Sequence, residues 1–363
     1  MTLFMIQIRF WLLIGFIASQ ASFAEEWQDP AKKYINAYKQ YLDSTCPIKD
    51  DSIKHFVYFI KEREEIHDHA FLRIEKFAGA QIMYSWDQLE TEKDHYDFSL
   101  IKEDYEYLKR HEKKLFIQLQ DVTFYPIRKA VPHYLLSNEY DGGVVLQITD
   151  DGVPDGWVAK RWNSKVRERF KLLLDALGKE FDGKVEGVNL QETAIGVSQK
   201  EDASFSPESY VKGLKANMLA LKTAFPTSTT MQYANFMPGE WLPWEDKGYL
   251  RSVYQYGEDI GVGLGGPDLM YTRKGQLNHT ITLMHEGEFT VPLGIAIQDG
   301  NYTGKTGADK EYDEHNDTGD KGRKNIVPVL FEFAKDFLDV NYIFWVNQAP
   351  YFEEDVATCL RTQ

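Results

Sequence analysis

The stretch RWNSKVRERFKLLLDALGKEFDGKVEGVNLQET, Arg161 to Thr193, holds one helical pattern and one strand pattern in succession. In VRERFKLLLDALGKEF the apolar residues recur with the 3.6-residue period of an amphipathic helix, opened by Arg161 and Trp162. VEGVNLQE (185–192) is then a short apolar run that stops on Gln191 and Glu192, which predicts a buried strand ending in two polar residues. The same kind of run recurs as HFVYFI (55–60), AQIMYSW (80–86), KLFIQLQ (114–120), TTMQYANF (229–236), GVGLGG (261–266), VPLGIAIQ (291–298) and YIFWVN (342–347). Helical patterns such as SYVKGLKANMLALKTAF and IVPVLFEFAKDFL lie between them. Strands alternating with helices predict a parallel sheet, and eight of them predict an α/β fold closed into a (β/α)8 TIM barrel. A doubly wound open sheet would share the alternation, but no GxGxxG follows an early strand, and GVGLGGPD comes sixth without that spacing.

The first residues, MTLFMIQIRFWLLIGFIASQASFA, carry one basic residue, an apolar run and Ser22-Phe23-Ala24. This is the layout of a signal peptide spanning 1–24, with an uncleaved anchor as the other reading. The expected organisation is then an N-terminal helical segment at 25–54, including a charged amphipathic helix from Asp29 to Asp43, and one barrel domain at 55–363. No other stretch reaches the ~20 apolar residues of a membrane span, so a soluble monomer exported to the periplasm or beyond the cell is expected. A net charge of −15 argues against nucleic acid and anionic membranes as partners, because both would repel it. The two cysteines, Cys46 and Cys359, sit near opposite ends of the chain. In an oxidising compartment they would bridge, because the first and last elements of a closed barrel are neighbours; two unpaired thiols are the alternative. Neither has a zinc-ligand spacing, and HDH (67–69) on a predicted helix would put its two His on different faces, so no metal site is expected.

Barrels place function where each strand runs out at its C-terminal end. The longest irregular pieces, Val122 to Asn163 and Asp299 to Lys324, follow the third and seventh strands and belong to that face. The second carries Asp309, Glu311, Asp313, Glu314, Asp317 and Asp320 without EF-hand spacing, which reads as a solvated acidic loop. The polar residues closing the runs are Trp86 with Asp87 and Glu90, Gln120 with Asp121, Gln191 with Glu192, Asn235, Asp268, Gln298 with Asp299, and Trp345 with Asn347. Breaking a glycosidic bond needs two carboxyl groups, one to protonate the leaving oxygen and one to attack the sugar or activate water. Glu192 is the candidate acid, since a pocket walled by aromatic rings would raise its pKa. The chain is 14% aromatic, and Trp241 and Trp244 in MPGEWLPWEDKGYL, with Tyr302, Tyr125 and Trp157, could stack on sugars on this face.

SWDQLETEKDHYDFSLI resembles the second-strand segment of clan A glycoside hydrolases, and the stretch from Arg161 to Thr193 looks like the helix and fourth strand of the same barrels. That resemblance implies a barrel glycosidase in which Glu192 is the acid/base, Gln191 stands where an Asn touches the sugar's 2-hydroxyl, and Trp345 closes the eighth strand. It departs at the seventh strand, where the family's nucleophilic Glu would end GIAIQDGNY. Alternation puts Gly294, Ala296 and Gln298 on one face, and an amide cannot form a glycosyl ester. Asp299, or less favourably Asp268, would then be the second catalytic carboxylate, with inversion favoured by the added room for water. Asp121, Asn235, Gln298 and Tyr302 complete the expected substrate contacts alongside Trp86, Gln191, Trp241, Trp244 and Trp345. The same alternation sets Glu192 on the face of Val188 and Leu190, opposite Asn189 and Gln191, so reaching the site requires a kink. The expected activity is cleavage of an oligo- or polysaccharide without a cofactor, and the alternative is a non-catalytic carbohydrate-binding barrel.

Overall fold

A computed structural model of the chain describes residues 29–49, 52–240, 245–306 and 326–361. All eight apolar runs form strands: β1 (Lys54–Tyr58), β2 (Phe77–Ser85), β3 (Lys114–Gln120), β4 (Gly187–Leu190), β5 (Thr229–Tyr233), β6 (Gly263–Gly266), β7 (Leu293–Ile297) and β8 (Tyr342–Val346). They close in chain order into one parallel barrel, with β8 pairing β1 at Phe56 with Phe344 and Val57 with Trp345.

Alternation decides what fills the barrel. Phe56, Phe116 and Phe344 meet at its centre, with ring centroids 5.0–5.8 Å apart. Room for these rings comes from glycine: a Cβ on Gly187 would lie 2.6 Å from the Phe116 ring, and one on Gly294 would lie 2.8 Å from the Met231 side chain. Gly294 therefore faces inward, and by the two-residue period so does Ala296. Below the rings, at the N-terminal end, Glu186 receives Lys114 at 2.7 Å and the Tyr342 hydroxyl at 2.9 Å, together with Lys54. Above them the lining turns polar, which sets up the mouth.

Helices Ser99–Arg110, Ser164–Phe181, Pro207–Ala224 and Tyr249–Ile260 lie among the connections between the strands. Asn163 caps the second of these by accepting the N–H groups of Lys165 and Val166, so that helix starts just after Arg161 and Trp162 rather than on them. The β1–β2 connection departs from the expected alternation. It holds only the 3-10 turns Arg63–Ile66 and Ala70–Arg73, so HDH lies on no helix, and His69 instead meets the Asn347 side chain at 3.0 Å. The connection after β3 is not irregular throughout, because Val144–Ile148 and Pro154–Ala159 pair as an antiparallel hairpin. The expected helix from Asp29 to Asp43 is a short α-helix, Pro30–Tyr34, followed by the 3-10 turn Ala37–Tyr41.

Cys46 and Cys359 form a disulfide with their Cα atoms 4.8 Å apart, joining the segment before β1 to the helix after β8. Among the described residues no helix is long and apolar enough to cross a membrane. The proposed signal peptide, Trp241, Trp244 and the acidic residues from Asp309 to Asp320 lie outside the described residues.

Candidate active site at the barrel mouth

The upper interior layer consists of amides and phenols. Tyr58 donates to Gln118 Oε1 at 2.7 Å, and Gln81 Nε2 donates to Asn189 Oδ1 at 2.9 Å and to the Tyr233 hydroxyl at 3.0 Å. Burial pushes the Tyr58 hydroxyl well above the usual phenol range, and Tyr233, Asp299, Glu192 and Asp268 push it further. A phenol near the barrel axis thus feels all three candidate carboxylates, which come from the ends of β4, β6 and β7.

Strand pairing of β4 stops at Leu190, so the alternation that would turn Glu192 outward no longer binds it. The chain beyond is pinned instead: Thr193 Oγ1 donates to the Phe236 carbonyl at 2.6 Å, and Asn235 Oδ1 accepts the Ala194 N–H at 3.2 Å. Asn235 Nδ2 is thereby aimed at Glu192 Oε2, 2.6 Å away. Burial raises the Glu192 carboxyl to about 8, and the charge of Asp268 adds to the rise. The Asn235 hydrogen bond and the Arg161 charge oppose it. Asp268 is held by Asn301 Nδ2 at 3.0 Å, and Asn301 Oδ1 also accepts the N–H groups of Leu269 and Gln298, tying the ends of β6 and β7 together. Asp299 is half-buried beside that turn and acts on the hydroxyl of Tyr302.

Several expected sugar contacts have other roles. Trp86 is buried, packs against Phe170 and donates its indole N–H to Glu90 at 2.8 Å. Trp345 is also buried; it has the opposite parity to the central Phe344, so it points outward and donates to His55 at 3.1 Å. Gln191 Oε1 turns sideways to accept the N–H groups of Asp121 and Val122, both at 3.1 Å. Both oxygens of Asp121 are taken by Arg161. Tyr302 stacks on Tyr351 with centroids 4.9 Å apart and is buried. Gln298 is partly exposed, one residue beyond the end of β7.

Sequence reading missed Asn301, the β2 amide Gln81 and Asp155. Asp155 lies on the hairpin, its pKa is raised by burial, and its charge reaches Glu192. The amides of KLFIQLQ did carry a signal, since Gln118 and Gln120 fall two apart on one face.

No protein-family model matches the sequence, and no curated protein does. Among solved structures the chain is similar to the catalytic domain of a β-amylase from Paenibacillus polymyxa, with 10% identity, 82% of this chain and 93% of that chain covered, and a TM-score of 0.50. It is also similar to endo-glycoceramidase II from Rhodococcus sp., with 11% identity, 84% and 76% covered, and a TM-score of 0.50. At such identities the likeness is one of fold, the closed (β/α)8 TIM barrel.

Proposed function

We propose that the protein is an exported glycoside hydrolase that cleaves O-glycosidic bonds of an oligo- or polysaccharide. Glu192 is the general acid and Asp268 the partner carboxylate, with Asp299 the other carboxylate of the same mouth. The observation that carries the proposal is a carboxyl group still protonated at neutral pH, directed by Asn235 and set in the field of Asp268 at the C-terminal end of a barrel. A protonated Glu192 can give its proton to the departing glycosidic oxygen, while an ionised Asp268 activates water on the opposite face of the sugar. That second role makes inversion the expected outcome. Asp268 replaces Asp299 as the favoured partner because its charge, and not that of Asp299, is prominent at Glu192.

The test is reducing-end release from a panel of oligosaccharides by the native chain and by Glu192→Gln and Asp268→Asn, with NMR of the first anomer formed. Activity unchanged in Glu192→Gln removes it from the mechanism. A second reading, a carbohydrate-binding barrel, is favoured by Gln298, an amide just beyond the end of β7, where a carboxylate would be needed for nucleophilic attack. Calorimetry that finds tight glycan binding with no cleavage over long incubation selects it. Export is tested by N-terminal sequencing of the secreted chain, which should begin at Glu25.

A further inference from the structure

We propose that Arg161 is a positioning residue for Glu192, fixing the peptide that carries the carboxylate; the inference rests on the reading of Glu192 as the functional acid. Arg161 is only 3% exposed, and each of its three guanidinium nitrogens donates a hydrogen bond. Nε and Nη2 donate to the two oxygens of Asp121 at 2.8 and 2.6 Å, while Nη1 donates to the Glu192 carbonyl at 2.9 Å and to the Tyr210 hydroxyl at 2.8 Å. Tyr210 passes the hold on, donating to the Thr193 carbonyl at 3.0 Å. Two successive carbonyls, those of Glu192 and Thr193, are therefore fixed by one guanidinium and the phenol it orients.

The placement is specific. Asp121 follows β3, Glu192 follows β4, and Tyr210 belongs to the helix Pro207–Ala224, so Arg161 joins three elements at one point. That helix approaches so closely that a Cβ on Gly213 would lie 2.1 Å from the Arg161 carbonyl. A buried ion pair is weak as a source of stability, because desolvation of both charges opposes their attraction. A lysine in its place would lose the planar geometry that serves a carboxylate and a carbonyl together. The arrangement makes sense as a device for orientation: Arg161 holds the backbone of Glu192, and Asn235 holds its carboxyl.

The charged and titratable groups around Glu192 are Asp268 after β6, Asp155 on the hairpin, Arg161 with its partner Asp121, Tyr210 on its helix, Tyr58 on β1 and Asp299 after β7. Arg161 is a cation whose field reaches the carboxyl, and Asp121 is its ion-pair partner at 2.6 Å.

The experiment needs no substrate. The full chain is labelled with ¹³C at glutamate carboxyls, the Glu192 resonance is assigned by its loss in Glu192→Gln, and its titration midpoint is followed in Arg161→Gln and Asp121→Asn. The midpoint is expected to rise by about one pH unit in the first and to fall by about one in the second. A role confined to stability would lower the melting temperature of both variants and leave the Glu192 midpoint where it is, and that result overturns the proposal. If Arg161→Gln does not fold, Asp121→Asn decides by the same criterion. A moved midpoint without glycan cleavage would sustain the positioning role while the glycosidase reading falls, so the two failures are distinguishable.

Discussion

Replacing Glu192 with Gln should make the protein more stable at alkaline pH. In the unfolded chain this carboxyl titrates near 4.5, and in the fold near 8. Between these values the folded chain holds a proton that the unfolded chain has released, so stability falls as pH rises. At 1.36 kcal/mol per pH unit the full displacement corresponds to ~4–5 kcal/mol. Glu192 retains some contact with solvent, which reduces the expected effect to ~2–3 kcal/mol. Glutamine has the shape of the protonated acid and cannot ionise, so the variant escapes this loss. With an unfolding entropy of ~2.1 cal/mol/K per residue, the gain is about 3–4 °C in a chain of this length.

The assay is thermal unfolding of both proteins from pH 4 to pH 9, read as the difference between their melting temperatures. The difference should be near zero at pH 4, open through pH 6–7 and level off above pH 8. Asp104 and Asp155, whose pKa values are also raised by burial, contribute equally to both proteins and cancel. Parallel curves across the range, or a variant less stable at pH 8.5, would refute the claim that the barrel holds Glu192 protonated at a cost to stability.

Asp268→Asn should lower the Glu192 midpoint by about one pH unit, measured by the same carboxyl NMR, because a repelling charge is removed. Arg169→Met should destabilise by ~3–5 kcal/mol in a urea titration, since it leaves the wholly buried Glu90 unpaired beside Trp86 and Tyr134. Cys46→Ser should lose ~2–4 kcal/mol in guanidinium, and reductant should produce the same loss in the native chain and none in the variant, because the bridge closes a sequence separation of 313 residues.

The barrel was legible because each strand is buried on both faces and so reads as a short apolar run, whatever its partners. KLFIQLQ coincides with β3 from end to end. The connections were less legible. VVLQI and PDGWVA pair with each other, and PDGWVA bridges back to the chain after β3 from Val158 to Val122, so their mixed composition resembles loop until those partners are known. Alternation also has a defined reach. Within the paired strands it turns Gly294 inward and could have turned Trp345 outward from Phe344. Applied to Glu192 it failed, because pairing ends at Leu190 and hydrogen bonds from Arg161 and Asn235 take over the direction of the chain.

Those two partners stand 31 and 43 residues away in sequence, and nothing local in RWN or YANF announces them. A carboxylate just beyond a strand is therefore visible from sequence as a chemical group, but its aim and its acidity depend on contacts that only the closed barrel brings together. This division explains why Glu192, Asp268 and Asp299 could be picked out as candidates while the order of preference between the two aspartates could not be read. The field of Asp268 reaches it across the mouth of the barrel, a proximity that no spacing along the chain encodes.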